Sequence, residues 1–140
     1  MENSRFKFRA WDKSNCRFLS TPLVGIDFEN DCVNSYEVEQ VSDTHYVQIQ
    51  NTCFEYELMQ FTGLKDKNGK EIYEGDICKV INYASDYLKI HGKMYCVISW
   101  SNTMGFYGKG FGIPTTFSMG EEFEVIGNIY EHSHLLLEQK

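Results

Sequence analysis

The sequence predicts a mainly-β chain of antiparallel strands, on three observations. Aromatic residues make up 15% of the chain, and such side chains fit a pleated surface better than a helix. Apolar and polar residues alternate over short stretches such as Arg5 to Trp11 and His45 to Gln50, the period of a half-buried strand. Pairs of Asn, Asp, Gly and Ser punctuate those stretches, which is turn chemistry.

The opening reads as a hairpin. Phe6, Phe8 and Ala10 alternate with Arg5, Lys7, Arg9 and Trp11, Asp12-Lys13-Ser14-Asn15 turns the chain, and Cys16 to Leu19 returns. Leu23 to Phe28 is a further apolar run, Asn30-Asp31 a turn, and Tyr36, Val38 and Val41 mark the next strand. Ser42-Asp43 breaks it before His45 to Gln50. Phe54 to Phe61 fits either state: positions 54, 58 and 61 suit a helix, and 54, 56 and 58 a strand. Asn68-Gly69 favours positive φ in a tight primed turn, with Leu64 to Lys67 and Lys70 to Tyr73 as arms. Glu74-Gly75-Asp76 turns again into a strand over Ile77 to Tyr83, an arrangement common in small SH3-like barrels.

A polar break from Ala84 to Gly92 precedes a strand over Met94 to Trp100, and Gly105 to Pro114, with four glycines, reads as a loop. Phe123 to Tyr130 is the last strand, and Gly127 inside it marks a bulge or a close backbone approach. His132 to Glu138 closes as one or two helical turns with Ser133 as the cap. At 140 residues the chain fits a single domain. Its expected architecture is an N-terminal β-meander over 1–60, then an SH3-like, barrel-like part over 61–140 with a short C-terminal helix.

The net charge of −7 is unevenly spread. Residues 1–17 carry Arg5, Lys7, Arg9, Lys13 and Arg17 against Glu2 and Asp12. Residues 18–64 contain no Lys or Arg but hold Asp27, Glu29, Asp31, Glu37, Glu39, Asp43, Glu55 and Glu57. Such a chain has little bulk attraction for nucleic acid, since phosphate affinity comes from clustered Lys and Arg displacing counterions. No apolar run approaches the roughly 20 residues of a membrane helix, so the expectation is a cytoplasmic protein with no membrane partner. Five widely spaced cysteines without a Cys-x-x-Cys pair point to reduced apolar residues rather than a disulfide framework or zinc site.

Candidate chemistry is sparse. Asp66-x-Asn68 opens like a calcium loop, but Lys70, Glu71 and Ile77 occupy positions that need other residues. The glycine stretch lacks the Gly-Lys-Ser/Thr of a phosphate loop. His132 and His134 read as solvated residues near the end of the chain. The carboxylates of Glu71, Glu74 and Asp76 are ones that turns collect for solvation. No catalytic residue, cofactor or metal is therefore assigned. The candidate binding surface is the basic strand Arg5, Lys7, Arg9 with Trp11, joined by Phe106, Tyr107, Lys109 and Phe111 of the glycine loop. Cations beside an exposed aromatic can pair with phosphate and stack on a base. The competing reading sets the basic residues against the acidic 18–64 segment, within the chain or across a dimer.

Three segments, RFKFRAWDK at Arg5 to Lys13, QFTGLKDKNGKEIYEGDI at Gln60 to Ile77, and VIGNIYE at Val125 to Glu131, together resemble the YopX family of phage and prophage proteins. Where that family continues its last motif with an Asn-Pro-Glu-Leu-like helix start, this chain has His132-Ser133-His134-Leu135. The resemblance implies a compact β-rich phage or prophage protein with no established activity. The resulting expectation is a non-enzymatic accessory protein that binds a host or phage protein. Nucleic-acid binding through the basic strand and an uncharacterised enzyme stay open as alternatives, and unpaired strand edges add an expectation of self-association.

Overall fold

The computed structural model describes residues 7–19, 23–81, 94–110, 115–116 and 123–137. Its elements are antiparallel strands: β1 (Phe8–Asp12), β2 (Arg17–Phe18), β3 (Leu23–Asp27), β4 (Cys32–Ser42), β5 (His45–Cys53), β6 (Tyr56–Lys65), β7 (Glu71–Tyr73), β8 (Asp76–Val80), β9 (Met94–Ser101), β10 (Gly105–Gly110), β11 (Thr115–Thr116) and β12 (Phe123–Asn128). The expected C-terminal helix is a single 3-10 turn, Ser133–Leu136. The polar break Ala84 to Gly92 lies outside the described residues. Contacts divide the chain into two units, Lys7–Met59 and the residues from Gln60 on. The strand β6 runs from one into the other, which settles Phe54 to Phe61 as strand from Tyr56.

In the first unit, two turns share one construction. Asp12 accepts from the Asn15 backbone N–H at 3.0 Å and from its side-chain amide at 2.7 Å, and Cys16 follows at φ +52°. Asp27 accepts from the backbone of Asn30 at 3.0 Å and from its amide at 2.8 Å, and Asp31 follows at φ +51°. A non-glycine residue in that region costs roughly 1–2 kcal/mol, and the aspartate bonds that close each turn offset it. One turn joins β1 to β2 and the other β3 to β4. The sheet β3-β4-β5 follows. Ala10, Leu19, Val33 and Cys53 form the core of this unit, with Ile26, Tyr56 and Leu58 against it.

In the second unit the sheet order is β11-β10-β9-β8-β12. Register places Cys78 opposite Cys96, Val80 opposite Met94, and Phe123 and Val125 opposite Val80 and Cys78. Strand alternation sends this set to one face, where Ile72, Cys78, Val80, Cys96, Ile98 and Phe123 form the core. The turn before β7 differs from the expected primed turn. Gly69 alone takes positive φ, at +81°, and Asn68 does not. The cause is Asp66, whose carboxylate accepts from Asn68 at 2.8 Å and Lys70 at 2.9 Å. Its other oxygen accepts from Val125 of β12 at 3.0 Å. The Glu74-Gly75 turn forms as expected, with Gly75 donating to Ile98 and accepting from Ile129.

Gly127 is both of the things its place in a strand suggested. The β8–β12 register shifts between Val125 and Gly127, and a Cβ there would lie 2.7 Å from His132 Cγ. His132, not Ser133, holds the cap position and makes no side-chain cap bond. Its Nδ1 is turned back to accept the Asn128 backbone N–H at 3.3 Å.

Candidate functional site

The basic strand does not present the surface its alternation suggested. Arg5 lies outside the described residues. Trp11 is only 7% exposed and packs edge-on to Phe18, ring centroids 4.9 Å apart. Arg9 is half-buried, its guanidinium 4.8 Å from the same Phe18 ring and 3.6 Å from the Met59 sulfur. Phe18 thus draws both residues inward, and Trp11 offers no free face for a base. Lys7 is half-buried, one residue before β1. Two other cations meet the acidic segment of their own unit: Lys13 pairs with Glu57, and Arg17 with Glu37 at 3.7 Å. Exposed pairs of this kind contribute roughly 0–1 kcal/mol each, so they neutralise charge more than they stabilise.

The glycine stretch is a strand rather than a loop over Gly105 to Gly110, paired residue by residue with β9. Its glycines serve close packing. Gly108 and Gly110 stand opposite the core residues Ile98 and Cys96, and a Cβ at Gly110 would meet the Tyr95 carbonyl at 2.8 Å. Phe106 faces the same way and packs against the core, 4.8 Å from Trp100. Tyr107 and Lys109 alternate to the opposite face, and Phe111 lies outside the described residues. The three described residues of this stretch therefore divide between two faces, and they belong to a different unit from Lys7, Arg9 and Trp11.

What the first unit does expose is a ribbon. Among the described residues β3 pairs with β4 over Cys32 to Ser35, and beyond that point only β4 and β5 are paired, as a two-stranded arm. Every residue from Val38 to Gln50 is exposed. Val38 is 68% exposed and Tyr46 64%, with Val41, Val47 and Ile49 also open. Register sets Val38 opposite Gln48 and Gln40 opposite Tyr46, giving one uncharged face. Glu37 opposite Ile49 and Glu39 opposite Val47 make the other face acidic at its margin. Near the base of the arm, an open groove of about 560 Å³ is lined by Asp31, Phe54, Glu55, Tyr56 and Glu57 among others. Within it Tyr56 donates to Asp31 at 2.9 Å, and the lining Glu55 accepts from Ser14 at 2.6 Å. Among the described residues no three His, Cys, Asp or Glu side chains are grouped to hold a metal ion.

Sequence reasoning read these strands correctly but not their exposure. The available signal was the absence of any Lys or Arg over 18–64 together with a hairpin longer than the strand beside it.

The YopX protein family model matches residues 7–137. The chain belongs to the YopX family. A crystal structure of protein EF1440 from Enterococcus faecalis is similar to this YopX-family chain at 30% identity and a TM-score of 0.60, over 93% of this chain and 96% of that one. No curated protein matches it.

The thiols of this YopX chain divide sharply. Cys16 is exposed, whereas Cys32, Cys53, Cys78 and Cys96 are buried. Burial pushes all four upward, Cys96 to about 12, and nearby Asp27 and Asp31 add to the effect at Cys32. Since the thiolate is the reactive form, a chromogenic disulfide reagent near pH 8 is expected to titrate one thiol rapidly and the rest only on unfolding. Two or more fast equivalents would contradict this assignment of burial.

Proposed function

We propose that this chain is a phage or prophage accessory protein that acts in the cytoplasm of a bacterial host by binding a protein partner, without catalysis of its own. The observation that carries this reading is the β4–β5 ribbon, whose Val38 and Tyr46 stand exposed on one uncharged face. Contact surfaces concentrate their energy in a few aromatic and apolar anchors, and exposed side chains of this kind held on a paired strand suit that use. Glu37, Glu39 and Asp43, with no Lys or Arg between residues 18 and 64, favour a partner with a basic rim. Such complementarity speeds and orients encounter more than it adds affinity. The antiparallel sheet of the second unit serves as a scaffold in the manner of an SH3-like barrel.

The test is capture of partners by the tagged full chain from lysate of its host at low and at moderate salt. One stoichiometric protein, retained less well as salt rises, is expected. Retention of no stoichiometric protein at either salt would contradict the reading.

A further inference from the structure

The two edges of the ribbon are built differently. Along β4, beyond its pairing with β3 among the described residues, the strand carries Glu37 and Glu39, and Glu37 is bridged by Arg17. Charged residues on an edge strand oppose pairing with another strand. β5 is the outermost strand of its sheet among the described residues. From His45 to Cys53 it reads HYVQIQNTC, with no Asp, Glu, Lys, Arg, Pro or Gly. Its register with β4 is regular from Val33 to Gln40, so no bulge blunts it there. A long, regular, uncharged edge rich in β-branched and aromatic residues is a template for strand addition.

We infer that β5 pairs antiparallel with β5 of a second copy of this chain, about Gln48, to make a continuous four-stranded ribbon. That register sets Val47 opposite the partner's Ile49 and Ile49 opposite the partner's Val47, β-branched pairs of the kind that stabilise sheets. On that face each row reads Glu39, Val47, the partner's Ile49, the partner's Glu37. The acids stand three strand spacings apart, roughly 14 Å, beyond the screening length of about 8 Å at physiological salt. Pairing through β4 instead would bring the glutamates of two copies together. A second copy is thus the occupant that the charge pattern admits at β5 and opposes at β4. An isolated two-stranded ribbon is marginally stable, and doubling it pairs the β5 edge of both copies. The inference stands apart from the partner reading: it uses the strand edge, not the Val38 and Tyr46 face, and needs no other protein.

Sedimentation equilibrium of the purified full chain tests it. A monomer–dimer equilibrium is expected for the wild type, weakened at least about tenfold by Ile49→Lys, while circular dichroism and the thermal melt confirm that the variant is folded. A Gln48→Cys, Cys16→Ser chain is expected to form a disulfide-linked dimer in oxidised glutathione, because directly opposed strand residues lie within disulfide reach. A wild type that stays monomeric at high concentration overturns the inference. So does a dimer indifferent to Ile49→Lys, or a Gln48→Cys chain that does not cross-link.

Discussion

Asp66→Ala is expected to lower the unfolding free energy by about 3 kcal/mol in urea titration near pH 7, taking roughly 1.5–3 kcal/mol for each hydrogen bond to a charged group and discounting the exposed donors. The side chain is 4% exposed and accepts from three backbone N–H groups, those of Asn68, Lys70 and Val125. The first two fix the turn, and the third ties it to β12, 59 positions along the chain. Once the carboxylate is gone, Asn68 and Lys70 can turn to water, but the Val125 N–H loses a partner in a part-buried place.

The same residue sets a pH dependence. Burial, the largest influence, works against the charge, but the Val125, Lys70 and Asn68 N–H groups with the Lys70 charge outweigh it, and the carboxyl is held below its ordinary 3.8. A folded-state value below the unfolded one gives stability that is complete above the unfolded value and is lost as pH falls through the folded value. The difference between wild type and Asp66→Ala should therefore be constant at neutral pH and shrink below 3.8. A difference that grew in acid would contradict the assignment.

Gly127→Val carries the second large effect, about 2–3 kcal/mol of destabilisation by overpacking. Its backbone φ is not in the left-handed region, so the exclusion is steric alone. A Cβ would lie 2.7 Å from His132 Cγ and 2.8 Å from His132 Cβ. Those atoms sit at the root of the histidine side chain and cannot swing away while Nδ1 accepts from Asn128. His132→Ala alone should cost about 1 kcal/mol for the lost acceptor. Placed on Gly127→Val it should instead restore stability, with a coupling of at least about 1 kcal/mol. Additive costs in the double variant would show that the clash lies elsewhere.

Most strands were legible because alternation is a local property, written in neighbouring residues such as those of β1 and β5. The turn at Asn68-Gly69 was legible as a turn but not in type, because the type depends on an acceptor, Asp66, that is also bonded to β12. The glycine-rich stretch was misread for a related reason. Glycine reports the absence of a side chain, and whether that gives freedom or close packing is decided by the strand opposite, here Cys96 and Ile98. Trp11 shows the limit for sites: the face of a strand on which a residue lies follows from spacing, but its cover follows from partners such as Phe18. The ribbon was missed because exposure of β4 and β5 depends on how far a neighbouring strand covers β4, which among the described residues reaches Ser35.

In the proposed reading, recognition belongs to the ribbon face bearing Val38 and Tyr46. Its most direct measurement is the amount of captured host protein per mole of chain for wild type, for the Val38→Ala, Tyr46→Ala pair, and for Trp100→Ala, an exposed aromatic of the other unit. A loss of at least about tenfold in the pair, with Trp100→Ala at the wild-type level, is the expected result. Undiminished capture by the pair, or capture lost through Trp100 instead, would contradict it.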